Sequence, residues 1–186
     1  FSTLQMSFTT TISKGEIDSA IILKLMLESI MGRSDDERGY CVYSIPGEPV
    51  DNNTIKILYH EKIFSKILNE MGYNTKALNE GMGVVFSNCE DSRFTGIGIS
   101  WGCGMTNVAV SYRGIPSLQF SVARGGDFID QNVSDSLGVP VSRITGLKER
   151  KLTLNDELIQ TKNVREKQVF DALRFYYQDL INYVLR

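Results

Sequence analysis

With 186 residues, 42% of them apolar and 23% charged, the sequence has the composition of an ordinary globular protein of one large or two small domains, which excludes disorder and collagen-like repeats. A formal net charge of −2, a pI near 5.5 and the lack of any Lys/Arg run exclude a general pull toward nucleic acid or anionic membranes. The odd, widely spaced cysteines Cys41, Cys89 and Cys103 include no CxxC, so neither a disulfide framework nor a zinc site is signalled, and a reducing, cytoplasmic setting is expected.

No apolar run approaches the roughly 18 residues of a membrane-spanning helix, and no basic-then-apolar signal pattern opens the chain. The first residue is Phe1 rather than Met, so a fragment or a processed chain is expected.

Residues 1–13 are Thr-rich and alternating, a strand pattern that breaks at Lys14-Gly15. From Ile17 to Met31 the apolar residues fall on more than one side of a helix, which predicts an element sandwiched between others. Gly32 ends it, and GRSDDERG reads as a solvated loop. Tyr40 to Ile45 is a buried strand stopped at Pro46-Gly47. Asp51 is placed to N-cap a helix from about Asn53 to Met71, with Ile63, Ile67 and Met71 on one face and Gly72 closing the end.

Ala77 to Glu80 reads as a short strand and Gly81 to Phe86 as the start of another helix. A meander follows: strands Phe94–Ile99, Asn107–Arg113 and Ser117–Ala123, with turns at SWGCGM and Gly114–Pro116. Arg124-Gly125-Gly126-Asp127 leads into a helix to about Leu137. After a linker, Lys148–Glu157 fits no single element type, and Val164–Leu185 is a long helix with Val169, Leu173, Tyr176, Leu180 and Val184 on one face. Strand–helix pairs combined with a three-stranded meander predict α/β or α+β layers.

In Ser100-Trp101-Gly102-Cys103-Gly104-Met105-Thr106-Asn107 two glycines flank a cysteine between two apolar runs. Such a turn can aim successive amides one way and form an anion-binding nest, because no Cβ blocks the dihedrals or the approach of a ligand. Glycines that merely give a hairpin room explain the same pattern. A second pair, Gly125-Gly126, stands directly before a helix, where the first amides and the helix dipole favour an anion.

Together these pieces resemble the actin, heat-shock-chaperone and sugar-kinase ATPase superfamily, nearest to bacterial or archaeal MreB-like proteins. Residues 96–110 are similar to that family's second phosphate loop: an apolar run, Asp-x-Gly-x-Gly-x-Thr, and a second apolar run. Ser121 to Asp130 resembles the Gly-Gly segment after that hairpin, and Lys14 to Asp18 resembles the Asp-Gly-x-Ile lead-in. Tyr40 to Pro46 is similar to the strand ending in Val-Pro, and Ala77 to Gly83 to the segment bearing the catalytic acid. The resemblance covers roughly residues 14–150, in the family's own order.

That resemblance implies an α/β, actin-like (ribonuclease H-like) fold with mixed sheets flanked by helices, of which this chain carries a partial domain. Residues 1–90 would be the remainder of a first lobe and residues 91–186 the first part of a second. It further implies ATP and Mg²⁺ in an interlobe cleft, coupled to conformational change or filament assembly, with the nucleotide and further copies of the protein as partners. A catalytically degenerate scaffold and a chaperone-type member are the alternatives.

Residue by residue, the family places at Glu80 the group that orients the attacking water, and at Ser100 an Asp that holds waters on magnesium. A neutral hydroxyl can hydrogen-bond a metal-bound water but supplies none of a carboxylate's charge. Gly102, Cys103, Gly104 and Met105 would offer amides to the phosphates; Gly125, Gly126 and Asp127 would lie near the ribose and phosphates; Lys148 and Glu149 would border the base and ribose. Without the family, Glu80 reads as a solvated strand-end glutamate, Asp127 as a helix N-cap and Lys148-Glu149 as a solvated pair. His60, the only histidine, falls inside a helix at the surface or an interface, and Cys103 has no local histidine to activate it.

Overall fold

Helix and strand alternate through the first half of the chain as α1 (Lys14–Met31), β1 (Tyr40–Ile45), α2 (Ile57–Glu70), β2 (Asn74–Asn79) and α3 (Glu80–Asn88). Three strands follow, β3 (Gly96–Trp101), β4 (Thr106–Tyr112) and β5 (Ile115–Val122), then three helices, α4 (Gly126–Leu137), α5 (Val141–Lys151) and α6 (Val164–Val184). The computed structural model describes residues 14–35, 39–52, 57–152 and 163–186. The strand expected over 1–13 and the helix start expected near Asn53, with its cap, lie outside these residues. The chain divides into two units, one of residues 1–100 with 107–121, the other of 101–106 with 122–186.

In the first unit β1 and β2 pair in parallel, in register from Tyr40↔Asn74 to Ile45↔Asn79. Parallel strands need a crossover, and α2 supplies it. Ile67 and Leu68 of α2 and Met71 directly after it are buried, with Cys41 and Tyr43 of β1 and Leu23 and Leu27 of α1 packed on them. Alternation along β1 turns Tyr40 and Val42 outward. Among the described residues α1 is packed on one side only: α2 meets the side bearing Leu23 and Leu27, and Ile22, Leu25, Met26 and Ile30 are exposed.

The short strand expected to end at Glu80 ends at Asn79 instead. The Asn79 side-chain oxygen accepts from the Gly81 and Met82 amides at 2.9 and 3.3 Å, which starts α3 at Glu80. Gly81, which weakens this helix, is there for close approach. A Cβ on Gly98 of β3 would fall on the Gly81 carbonyl, and one on Gly81 would sit 2.7 Å from the Ala109 amide nitrogen.

The second sheet has the order β3-β4-β5, with Thr106 to Ala109 of the central strand buried. Its second turn is tighter than expected. Arg113 and Gly114, both at positive φ (52° and 78°), make a two-residue turn, so Ile115 and Pro116 already belong to β5.

His60 on α2 is half-buried, and burial pushes its pKa below the ordinary 6.5. Between the depressed value and 6.5 the unfolded chain binds a proton that the folded chain does not. This contribution is therefore fully present above pH 6.5 and is lost as the pH falls. Urea unfolding of the intact protein should show lower stability at about pH 5.5 than at about pH 7.5, with this group's share of the loss absent in His60→Asn.

In the second unit α4 packs on α5 and α6, and α5 on α6. Ile129, Val133, Ile144, Leu147, Val169, Phe170, Leu173, Leu180 and Val184 are the buried apolar residues of these helices. Helix α5 occupies part of the expected linker: Gly138, at φ +59°, closes α4, and Pro140 stands directly before Val141. Helix α6 matches its expected span. Asn163 caps it by accepting from Arg165 and Glu166, and Val169, Leu173, Leu180 and Val184 are its buried face.

Candidate functional site

In the first unit Glu80 is the centre of a polar network. Its Oε2 accepts from Asn107 Nδ2 at 2.8 Å and from Ser100 Oγ at 3.2 Å. Asn107, only 1% exposed, uses its Oδ1 to accept the Gly47 amide at 2.7 Å, so each end of its amide faces the chemistry it needs. Ser121 Oγ donates to the Gly47 carbonyl at 2.7 Å. The loop after β1, the first residue of α3 and strands β3 and β4 thus meet at one carboxylate. Glu80 is therefore not the solvated strand-end glutamate of the sequence reading. Its Oε1 accepts no hydrogen bond from the described residues, so a fixed carboxylate keeps one oxygen for a water.

Sequence reasoning missed Asn107. The available signal was an amide side chain inside the apolar run Thr106–Val110, since a buried polar group there must find partners.

In the second unit the turn at 102–105 is closed by the Gly102 amide, which donates to the Met105 carbonyl at 2.9 Å. The turn is braced against the start of α4: the Gly126 and Asp127 amides donate to the carbonyls of Gly102 (3.0 Å) and Cys103 (2.8 Å). Thr106 Oγ1 donates to the Arg124 carbonyl at 2.8 Å. Gly125 is buried, and a Cβ there would fall on the Gly102 and Cys103 carbonyls.

Two expectations are corrected by this arrangement. The first two amides of α4, Gly126 and Asp127, are not free for an anion, because the turn's carbonyls take them. Asp127 is not the N-cap. Gly125 holds that position with no side-chain cap, and Asp127 is exposed in the first turn. Within the turn, the amides of Cys103, Gly104 and Met105 donate to nothing among the described residues. Cys103 and Gly104 are exposed, and the space a Cβ on Gly104 would enter is open to 4 Å.

Lys148, on α5, reaches the same corner. Its Nζ donates to Asp130 Oδ2 at 2.8 Å and makes a long contact of 3.4 Å with the Gly126 carbonyl. Asp130 is 1% exposed and also accepts from Thr145 Oγ1 at 2.7 Å. The solvated Lys148-Glu149 pair is thus wrong for Lys148, which is held by a buried carboxylate of α4. Glu149 is exposed and takes no part in these contacts.

Among the described residues no group of three or more His, Cys, Asp or Glu side chains could hold a metal ion, and no helix is long and apolar enough to cross a membrane. No curated protein matches the sequence. Solved structures do. The ethanolamine utilization protein EutJ from Carboxydothermus hydrogenoformans is 15% identical with a TM-score of 0.55, over 90% of this chain and 54% of its own.

MreB5 of Spiroplasma citri, bound to AMPPNP, is 14% identical with a TM-score of 0.61, over 90% of this chain and 56% of its own. Bound to ADP it is 13% identical with the same TM-score, over 90% and 55%. These likenesses show the expected α/β fold of the actin-like ATPase superfamily, and the chain spans about half the length of the structures it matches. The family model described as Volactin matches residues 2–186, and the chain belongs to the Volactin family.

Proposed function

We propose that this chain is part of an actin-like nucleotide-binding protein in which the turn at 102–105 holds phosphates of ATP. The observation that carries the reading is the set of amides at Cys103, Gly104 and Met105 that donate to nothing among the described residues, on a turn braced by the start of α4. Support comes from MreB5 of Spiroplasma citri, a protein of the same fold bound to AMPPNP and to ADP in its crystals. Gly125, Gly126 and Asp127 set the turn's position, and Glu80 orients a water through Oε1. In this reading residues 1–90 and 91–186 belong to two lobes whose closure follows the nucleotide, with assembly into filaments of further copies and a cytoplasmic setting.

The residues present fit the phosphates, whereas position 100 carries no carboxylate for Mg²⁺. The hydroxyl of Ser100 is donated to Glu80, and it brings no charge to a cation. Calorimetric titration of the intact protein with ATP is expected to show saturable binding; no binding at millimolar nucleotide would overturn the proposal.

A second reading, an actin-fold scaffold that binds nucleotide without turning it over, is favoured by the same Ser100–Glu80 hydrogen bond. ATP binding with negligible phosphate release supports it, and steady turnover typical of an ATPase removes it.

A further inference from the structure

We infer that Asp130 is a positioning residue of the nucleotide site: with Thr145 it fixes the Lys148 ammonium beside the 102–105 turn, where the ammonium donates to a phosphate oxygen. The inference rests on the nucleotide reading above, and every residue it uses belongs to the second unit. Thr145 and Lys148 stand three residues apart on α5, so both project from the side of that helix that meets α4. Asp130, on α4, receives them on one oxygen. Its Oδ2 accepts from Lys148 Nζ at 2.8 Å and from Thr145 Oγ1 at 2.7 Å. A 3.1 Å contact with the Val141 carbonyl anchors the threonine hydroxyl in turn.

Stability does not account for this pair. The side chains of Lys148 and Asp130 are only 16% and 2% exposed, so neither ion keeps much of its hydration. Desolvating two charges costs about as much as their attraction returns, and apolar side chains of similar volume commonly do as well or better. Asp130 Oδ1 adds to the cost, being buried with no hydrogen-bond partner among the described residues. What the arrangement achieves is a fixed ammonium.

That ammonium stands where an anion is expected. A Cβ placed on Gly126 would lie 3.2 Å from Lys148 Nζ and 3.7 Å from the Cys103 Cα, so the ammonium and the turn flank the same point. An ammonium has three N–H groups, of which one goes to Asp130 and one, weakly, to the Gly126 carbonyl at 3.4 Å. The third remains for a ligand. Asp130 offsets the lysine's charge, so the gain is an aimed, charge-assisted donor rather than a net positive field. A lysine already held in the folded protein also loses little rotamer freedom on binding.

The test replaces the pair by apolar side chains of similar size, Asp130→Leu with Lys148→Met, in the intact protein. The urea midpoint is expected to equal or exceed that of the wild type, while calorimetry shows ATP bound about tenfold or more weakly. Inorganic tripolyphosphate, which has neither base nor ribose, should displace ATP from the wild type and weaken by a similar factor in the variant. Wild-type ATP affinity in the variant would overturn the inference while leaving the nucleotide reading in place. Absence of ATP binding by the wild type would sink both. A variant that fails to fold, or that unfolds well below the wild-type midpoint, would also contradict the inference, since the pair would then be a structural necessity. ATP affinity that falls while tripolyphosphate is unaffected, or tripolyphosphate that fails to displace ATP, would overturn the assignment of the ammonium to phosphate. Thr145→Val is the milder arm, with ATP expected to bind about threefold more weakly. Unchanged affinity there would remove Thr145 from the positioning role.

Discussion

Gly125→Ala is expected to weaken ATP binding by about a hundredfold or more while leaving the helices of the second unit folded. The new Cβ would fall on the carbonyls of Gly102 and Cys103, the two oxygens that accept the Gly126 and Asp127 amides. Main-chain atoms cannot step aside as a flexible side chain can, so the turn and the start of α4 must separate. The two hydrogen bonds are then lost, at about 0.5–1.5 kcal/mol each, and the Cys103–Met105 amides no longer share one fixed direction.

Gly104→Ala is the control. A Cβ there meets nothing within 4 Å, so the turn should survive with less than about a tenfold loss. Calorimetry reads the affinities, and thermal unfolding shows that both variants fold. Wild-type affinity in Gly125→Ala would mean that bracing of the turn is not what makes the site.

Asn107→Ala should cost about 2–4 kcal/mol of stability, read as a fall in the urea midpoint. The substitution removes the acceptor of the Gly47 amide and the closest donor to Glu80, in a position 1% exposed. Asn107→Asp is expected to be at least as damaging, since it sets a second carboxylate against Glu80. Relieving that charge in the pair Asn107→Asp with Glu80→Gln should recover part of the loss, because the carboxamide of Gln can donate to the new Asp. Additive losses in the double variant would show that Asn107 and Glu80 are not coupled.

The sequence made local features legible wherever neighbouring residues decide them. Helix α6 was readable because Val169, Leu173, Leu180 and Val184 recur at helical spacing. The meander was readable because its apolar runs are separated by glycine turns. Errors fell where the deciding partner is distant or a weak local signal was outweighed. Glu80 was placed at the end of a strand with the helix starting one residue later at Gly81, yet Asn79 caps a helix that begins at Glu80, and Gly81 lets α3 approach β3 and β4. Helix α5 was missed because Thr145 and Gly146 dilute the apolar spacing of Ile144 and Leu147.

The site divides in the same way. The turn's glycines and their spacing were visible in the sequence, as was the missing acid at Ser100. Asn107 acquires its role only from Glu80 and Gly47, which lie 27 and 60 residues away in the chain. The start of α4 had the local signature of an anion site, and only the fold shows that Gly102 and Cys103 had already claimed its amides. Lys148 could not be paired with Asp130 while α5 itself went unread.

The most direct test of the nucleotide-binding turn is the response of individual backbone amides, followed by ¹H–¹⁵N correlation spectra of the intact protein as ATP is added. Large, saturable shifts are predicted at Cys103, Gly104 and Met105, with the paired amides of Gly102, Gly126 and Asp127 moving much less. ATP that binds while those three resonances stay in place would contradict the account.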